Sequence, residues 1–265
     1  MKANALTIAG SDSGGGAGIQ ADLKTFSAHG VFGCSVITAV TAQNTTDVTD
    51  VHPIPLDTIL AQINAVFDDI RIDAIKIGML GDPDTIARIA DALTEFNGPV
   101  VLDPVMVAKS GVSLLADEAV SALRDLLVPR ATVLTPNIPE AAKLLGTEEV
   151  FSAGALKAQG QALLDLGSQA VVMKGGHGKE DVCTDWLLSE GQEISFAARR
   201  INTKNTHGTG CTYSSAIAAG LAKGLSVQRS VATAHEWLHQ AIGFADQLEV
   251  GHGHGPVHHF HGFWK

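Results

Sequence analysis

The sequence predicts an α/β fold in which helices flank a central, mostly parallel sheet. Short apolar runs alternate with helical patterns along almost the whole chain, which is typical of parallel strands joined by right-handed helical crossovers. Hydrophobic residues make up 45% of the 265 residues, and 28 residues are glycine, a composition that suits buried strands and closely packed helices. Because no internal repeat or linker-like segment divides the chain, we expect a single domain over residues 1–265.

The individual elements follow from this alternation in chain order. The predicted strands, each a short apolar run, are residues 5–9, 34–40, 74–77, 100–102, 132–134 and 170–173. The predicted helices, each with apolar residues at helical spacing, are residues 16–29, 56–69, 83–96, 117–128, 139–145, 154–166, 210–222 and 227–247. Residues 182–201 interrupt the alternation and are interpreted as a β-hairpin outside it. Ligands of such sheets bind beyond the carboxyl ends of the strands. The loops expected to hold the functional residues are therefore residues 10–18, 41–46, 78–82, 103–111, 135–140 and 174–178.

Charge and cysteine content restrict the class of protein. The formal net charge is −10, which argues against binding nucleic acid over an extended surface. Cys34, Cys183 and Cys211 are widely spaced and form no CxxC motif, so neither a disulfide framework nor a structural zinc site is expected. The first residues lack a signal-peptide pattern, and no apolar stretch has the length of a membrane span. We therefore expect a cytoplasmic protein that does not bind membranes.

The glycine-containing run at residues 205–211, directly before a predicted helix, indicates an anion site. Gly208 and Gly210 lack a Cβ, so the backbone can turn tightly and present its N–H groups. Unpaired N–H groups at a helix start favour negative charge, and the thiol of Cys211 lies at the same place. An ordinary glycine-rich loop that caps a surface helix is the alternative.

A second glycine cluster, residues 10–18, follows the first predicted strand. It does not fit the dinucleotide-binding fingerprint, because Ile19 occupies the position of the third glycine, and no Walker A motif occurs in the chain. The pattern instead predicts a backbone that approaches a flat ligand closely, with Asp22 one turn into the following helix. Packing glycines with a solvated Asp22 are the alternative.

Two acidic residues and a lysine follow other predicted strands. Asp103 and Glu140 are expected to meet at the carboxyl edge of the sheet, where carboxylate oxygens can hold Mg²⁺ beside phosphates. Alternatively, Asn137 and Glu140 form a capping arrangement at a helix start, which needs no metal. Lys174, at a strand end and followed by two glycines, can reach a phosphate as a point charge.

Five histidines crowd residues 251–261 at the end of the chain. Because no cysteine or carboxylate accompanies them, a structured tail is favoured over a metal centre.

Five segments, in family order, closely resemble the hydroxymethylpyrimidine/phosphomethylpyrimidine kinases of the ribokinase superfamily. These segments are residues 5–25, 103–106, 136–140, 173–177 and 205–211. The resemblance implies a ribokinase-like three-layer α/β/α fold with a central, mostly parallel sheet, ATP and Mg²⁺ as co-substrates, and commonly a homodimer. It also implies two successive transfers in thiamine biosynthesis. The first phosphorylates 4-amino-5-hydroxymethyl-2-methylpyrimidine, and the second phosphorylates the resulting monophosphate.

The resemblance also implies roles for the matching positions. The catalytic and anion-hole residues are Gly208, Thr209, Gly210 and Cys211. The Mg²⁺ ligands are Asp103 and Glu140, and the contacts to the co-substrate are Lys174 and Asn137. The pyrimidine pocket is formed by Gly10, Asp22, Gln43 and Met79.

Physical chemistry bears on two of these roles. The Gln43 amide donates and accepts side by side, so it can pair with the ring nitrogen and exocyclic amine of an aminopyrimidine. Cys211 stands where sugar kinases of the superfamily usually carry aspartate. A thiol is a poor base at neutral pH unless the helix N-terminus lowers its pKa. The second transfer has an ionised phosphate oxygen as nucleophile and needs no base, so we expect Cys211 to affect the first step more than the second.

Three other functions compete with this interpretation. A pyridoxal kinase is disfavoured because pyridoxal has no amine beside its ring nitrogen to match Gln43. A catalytically inactive pyrimidine sensor is disfavoured by the intact set of Cys211, Asp103, Glu140 and Lys174. A sugar or nucleoside kinase is disfavoured by Cys211 in the place of aspartate.

Overall fold

Eight strands within the described residues form one twisted sheet, and six of them run parallel. The computed structural model describes residues 2–106, 115–176, 178 and 180–264. The strands of this sheet are β1 (Asn4–Ala9), β2 (Phe32–Ile37), β5 (Ala74–Ile77), β6 (Val100–Leu102), β7 (Val133–Leu134), β8 (Ala170–Met173), β9 (Val182–Ser189) and β10 (Gln192–Arg199). They lie in the order β10-β9-β8-β7-β6-β5-β1-β2; the six strands from β8 to β2 pair in parallel, and β9 pairs antiparallel with both β8 and β10. The predicted mostly parallel sheet is confirmed.

Helices cover both faces of this sheet. They are α1 (Gly18–Ala28), α2 (Leu56–Asp69), α3 (Pro83–Ala92), α4 (Asp117–Ala122), α5 (Ile138–Leu145), α6 (Ala153–Leu164), α7 (Thr209–Ala222) and α8 (Val227–Gly243). A π-helical turn (Leu123–Leu127) and a 3₁₀ turn (Val128–Arg130) continue α4. In the described part of the chain, no helix has both the length and the apolar character needed to cross a membrane.

Alternating side chains along the strands build two separate cores, one on each face. On β8, Val171 and Met173 pack into the core formed with α2 to α6, whereas Ala170 and Val172 pack into the core formed with α1, α7 and α8. This alternation is the period of two that a strand imposes on its side chains. The three layers α/β/α that the resemblance implies are therefore present.

Two sequence predictions need correction around the first crossover. The predicted strand 34–40 is two strands, because β2 ends at Ile37 and β3 (Ala39–Gln43) begins a separate two-stranded sheet with β4 (Val48–Pro53). The predicted loop 41–46 is thus partly strand. The apolar run continues across the break, so its sequence gives no boundary, and β4 has mostly exposed side chains and lacks an apolar signal.

The hairpin at residues 182–201 is confirmed as a hairpin but not as an excursion outside the sheet. Its first strand, β9, pairs with β8 along four residue positions and so extends the main sheet. The part of the predicted loop 103–111 that follows Met106, and His177 in the loop after β8, lie outside the described residues.

Candidate active site

The start of α7 brings the two glycine-rich loops into contact. Gly208 precedes the helix with φ +76°, a left-handed conformation that favours glycine. A Cβ at Gly208 would collide with the carbonyl oxygen of Gly16, from the loop that follows β1. The two loops that were predicted independently therefore form one wall at the carboxyl edge of the sheet.

Lys174 lies between two carboxylates beside this wall. Its Nζ is 2.9 Å from Asp103 Oδ1 and 3.7 Å from Glu140 Oε2. A Cβ at Gly210 would stand 3.4 Å from Lys174 Nζ and 3.6 Å from Asp103 Oδ2. The structure thus brings together the helix start, the lysine and both acidic residues, which come from four different segments of the chain.

The charges of this group are set by burial and by one another. Burial works against the ammonium charge of Lys174, but Asp103 and Glu140 outweigh it and raise its pKa. Burial also opposes the charge on Asp103, whose pKa is nevertheless lowered by Lys174 and Lys76. Glu140 differs, because burial and the neighbouring Asp103 raise its pKa to about 7 despite Lys174. Asp103 and Lys174 are therefore charged at neutral pH, and Glu140 is easily protonated.

Glu140 also takes part in a helix cap with Asn137. The Asn137 backbone N–H donates to Glu140 Oε2 at 2.8 Å, and the Glu140 N–H donates to Asn137 Oδ1 at 2.9 Å, which completes a capping box for α5. The capping alternative is therefore correct. It does not displace Glu140 from Lys174, so the proposed roles of Glu140 and Asn137 toward metal and co-substrate stay predictions.

The oxygen ligands at this position suit Mg²⁺. Asp103 and Glu140 lie within reach of the same ammonium group, and carboxylate oxygens supplemented by water are the usual environment of Mg²⁺ beside phosphates. Among the described residues, no three His, Cys, Asp or Glu side chains converge. Two carboxylates would leave the remaining coordination positions to water and phosphate, as Mg²⁺ prefers.

A second lysine–aspartate pair, Lys76 and Asp22, lies below the start of α7. The sequence analysis identified only Asp22. Lys76 Nζ, on β5, is 2.9 Å from Asp22 Oδ2, and both side chains are completely buried. Thr7 and Ser215 also donate to the Asp22 carboxylate, at 2.6 and 2.7 Å. The alternative of a solvated Asp22 is therefore wrong. Lys76 could have been identified from the sequence, because a charged side chain within an apolar strand such as β5 is unusual.

Cys211 lies between these two pairs and is not an activated thiol. Burial raises its pKa to about 11, and the carboxylates of Asp22 and Asp103 add to the rise while Lys76 opposes it. This shift of the Cys211 pKa is opposite in direction to the one that a helix N-terminus alone would produce, and it favours the thiol over the thiolate at neutral pH.

The residues expected to hold the pyrimidine lie on two sides of the glycine loop. A Cβ on Gly10 would collide with the Met79 methyl group, so these two residues are in direct contact. Gln43, at the end of β3, is half-buried, and its amide lies 3.4 Å from His207 Nε2. His207 in turn lies 2.8 Å from Asp12 Oδ2. Neither Asp12 nor His207 was singled out from the sequence.

The histidine-rich end of the chain is ordered and packs against the site, which confirms the predicted structured tail. His258 and His259 are buried, and His259 Nε2 lies 3.0 Å from the hydroxyl of Thr212 in the first turn of α7. The backbone N–H of His207 donates to the Gly255 carbonyl. The tail therefore packs against the first turn of α7 and the loop before it.

Comparisons with known proteins agree with this geometry. Residues 12–258 match the family model described as phosphomethylpyrimidine kinase. A hydroxymethylpyrimidine/phosphomethylpyrimidine kinase from Rhizobium meliloti is 53% identical over 265 residues, which cover 100% of both chains. Among solved structures, Bacillus subtilis pyridoxal kinase in an ADP complex has a TM-score of 0.91 and 39% identity, covering 98% of each chain. A phosphomethylpyrimidine kinase from Clostridium difficile has a TM-score of 0.81 and 43% identity, covering 91% of this chain and 100% of the other.

Proposed function

The chain belongs to the phosphomethylpyrimidine kinase family, and we propose that it phosphorylates 4-amino-5-hydroxymethyl-2-methylpyrimidine with ATP, first to the monophosphate and then to the diphosphate. The observation that carries this proposal is the meeting of the α7 N-terminus with Lys174 and Asp103 at the sheet edge. This arrangement offers N–H donors and a positive charge to a transferring phosphoryl group, and phosphoryl transfer depends chiefly on positioning and charge neutralisation. The product is a precursor in thiamine biosynthesis.

Each part of the site has a proposed task. The N–H groups of Gly208, Thr209 and Gly210 surround the transferring phosphoryl group, and Lys174 neutralises its charge. Asp103 and Glu140 would hold Mg²⁺, and Asn137 would orient the co-substrate from the start of α5. When bound, Mg²⁺ screens the charge on the phosphate oxygens.

The pyrimidine is held by the other half of the site. Gly10 leaves room for the Met79 side chain, Met79 packs against the ring, and Gln43 pairs with the ring nitrogen and the amine. Asp22 is completely buried and accepts hydrogen bonds from Thr7, Lys76 and Ser215, so it supports the pocket without contacting the pyrimidine.

Cys211 has a restricted task because its thiol is protonated at neutral pH. Its sulfur orients the hydroxyl group of the pyrimidine, which becomes the nucleophile of the first transfer. A loose phosphoryl-transfer transition state requires little help from a base. In the second transfer the nucleophile is a phosphate oxygen that is already ionised, so that step proceeds without this help.

Pyridoxal phosphorylation is the second candidate, favoured by the close similarity to a pyridoxal kinase structure. Gln43 argues for the aminopyrimidine, because pyridoxal lacks an amine next to its ring nitrogen. Pyridoxal is therefore expected to be a side substrate at most.

Mass spectrometry of the products tests the proposal. The protein is incubated with Mg-ATP and hydroxymethylpyrimidine, with pyridoxal in a parallel reaction and the Lys174→Met variant as control. Monophosphate followed by diphosphate is the expected result. Phosphorylated pyridoxal with unchanged pyrimidine would transfer the assignment to the pyridoxal kinase, and no pyrimidine-dependent ATP consumption would leave only a binding protein.

The cellular setting is also part of the proposal. Because the reaction consumes ATP, we place the protein in the cytoplasm, and we expect the homodimer that is common in the superfamily. Light scattering coupled to size-exclusion chromatography should give twice the 27.5 kDa of the chain.

A further inference from the structure

The hydrogen bonds around Gln43 are inconsistent with one orientation of its amide and consistent with the other. His207 Nε2 lies 2.8 Å from Asp12 Oδ2 and 3.4 Å from the amide Nε2 of Gln43, and Gln43 Oε1 lies 3.2 Å from the hydroxyl of Thr41. The nitrogen and oxygen of an amide are distinguished by their hydrogen-bond partners. The protonation of the neighbours therefore decides which of the two faces His207.

Asp12 is a carboxylate, so it can only accept. The backbone N–H groups of Gly14, Gly16 and Ala17 donate to its two oxygens at 2.8 to 3.0 Å. Burial opposes its charge, but the hydrogen bonds from His207 and Ala17 lower the pKa of the carboxyl. Since an ionised carboxylate has no proton to give, His207 Nε2 must carry the hydrogen and donate it to Asp12.

A donating His207 conflicts with an amide nitrogen facing it. The amide N–H groups would then face a ring nitrogen, 3.4 Å away, whose hydrogen is given to Asp12 and which has no lone pair to accept them. A second conflict lies at the other end of the amide. The Thr41 hydroxyl has one proton, and it donates to the carbonyl of Ser11 at 2.9 Å, so it has none left for Gln43 Oε1.

Turning the Gln43 amide by 180° removes both conflicts. Its oxygen then accepts from His207 Nε2–H, which is shared with Asp12, and its nitrogen donates to the Thr41 hydroxyl. Both contacts then join a donor to an acceptor, as polar groups at buried and half-buried positions prefer.

His207 is held too firmly to change this arrangement by moving. A Cβ on Gly16 would collide with the His207 ring, and one on Gly208 would collide with the Gly16 carbonyl, so the loops are packed directly against the ring. The His207 backbone is bonded to the tail at Gly255, and the ring is buried. The imidazole therefore presents its N–H to Gln43 from a fixed position.

We propose that Asp12 and His207 are positioning residues that determine substrate specificity by holding the Gln43 amide with its oxygen toward His207. The inference rests on the proposed function, in which Gln43 contacts the pyrimidine. The amide then presents its acceptor and donor in a fixed order. An aminopyrimidine fits with its amine on the His207 side and its unprotonated ring nitrogen on the Thr41 side. A 4-oxo pyrimidine offers the reverse order, because its ring nitrogen carries a hydrogen and its exocyclic oxygen accepts.

The test compares two substrates that differ only in this order. Hydroxymethylpyrimidine and its 4-oxo analogue, 5-hydroxymethyl-2-methylpyrimidin-4(3H)-one, carry the same hydroxymethyl group, and kcat/KM is measured for each with Mg-ATP. We expect the natural protein to prefer the amino compound by at least about 100-fold, since a site built for one hydrogen-bond pattern rejects the other strongly. Disturbance of the neighbouring anion hole lowers both rates together, so the ratio reports on Gln43 alone.

The variants separate the positioning role from a merely structural one. In His207→Phe the amide is free to turn, and the preference should fall to about tenfold or less. In His207→Gln the new amide N–H groups replace Nε2–H, and most of the preference should return. Thr41→Val removes the acceptor at the other end without touching the His207 packing, and should reduce the preference about threefold.

The results distinguish a failure of this inference from a failure of the proposed function. If Gln43→Leu abolishes the preference while His207→Phe and Thr41→Val leave it intact, the positioning role of Asp12 and His207 is overturned and the proposed function stands. If Gln43→Leu also leaves the preference intact, Gln43 does not recognise the pyrimidine, and the proposed pocket itself is wrong. If His207→Phe does not fold, Thr41→Val alone decides the orientation.

Discussion

Two lysine–aspartate pairs lie below the first turns of α7, and they differ in access to solvent. In the inner pair, the side chains of Lys76 and Asp22 are both 0% exposed. In the outer pair, the Lys174 side chain is 14% exposed, although its partner Asp103 is only 1% exposed. The outer lysine can therefore reach a ligand, whereas the inner lysine can act only on protein groups.

Serines of α7 connect each pair to the helix start. Ser215 donates to Asp22 at 2.7 Å, and Ser214 donates to Asp103 at 3.2 Å. The adjacent serines thus fix the helix over both pairs at once. The same pair of residue types therefore occurs in two environments: the inner pair is closed off from solvent and serves the structure, and the outer pair is accessible, as its proposed role in phosphoryl transfer requires.

The largest expected effect comes from breaking the inner pair. Lys76→Met leaves the Asp22 carboxylate buried without its cation, so we expect the free energy of unfolding to fall by about 3–5 kcal/mol in urea titrations. The double variant Lys76→Met/Asp22→Asn removes both charges and should recover much of this loss. A single variant as stable as the natural protein would contradict the structural role of this pair.

Breaking the outer pair should lower the activity more than the stability. Lys174→Met is expected to lower kcat/KM for hydroxymethylpyrimidine by roughly 10²–10³-fold, because a preorganised charge on the phosphoryl group is lost. Its stability should change less than that of Lys76→Met, since Asp103 keeps its hydrogen bonds to Thr135 and Ser214. Steady-state kinetics check the expected loss of activity, and urea unfolding of the same preparation checks the expected stability. Large losses of stability with normal activity would reverse the assignment.

The smallest expected effect is on the reactivity of the Cys211 thiol, whose pKa depends directly on the charges of the two pairs. Because the pKa of Cys211 is raised to about 11, the reactive thiolate fraction should increase about tenfold with each pH unit below that value. Alkylation by iodoacetamide, followed at the Cys211 peptide by mass spectrometry, should therefore still be rising at pH 10. A plateau near pH 8.5 would show an unperturbed thiol and contradict the half-buried position near two carboxylates.

The elements with strong local patterns could be predicted from the sequence, and those that depend on distant partners could not. Helix α2 begins and ends at the predicted residues, Leu56 and Asp69, because its apolar positions repeat regularly. Strand β4 was missed, since its side chains are mostly exposed and it contains no run of apolar residues. The boundary between β2 and β3 was missed because the apolar run continues through it.

The same distinction applies to the site. Residues with a local signal, such as Gly208 before a helix or Lys174 at a strand end, could be named from the sequence, although their roles remain predictions. His207 and Asp12 are 195 residues apart, and only the folded chain shows that they meet. The high pKa of Cys211 also depends on burial and on carboxylates from other segments, so a helix N-terminus alone suggested the opposite direction.

The central claim is that the outer pair serves both phosphoryl transfers whereas Cys211 serves the first. The most direct test measures the two transfers separately, with hydroxymethylpyrimidine and with its monophosphate as substrates, in the natural protein, Cys211→Ala and Lys174→Met. We expect Cys211→Ala to slow the first transfer by about 10²-fold, because the hydroxyl group loses the contact that orients it, and the second by less than about fivefold, while Lys174→Met slows both. Equal losses in both transfers for Cys211→Ala would contradict this division of tasks.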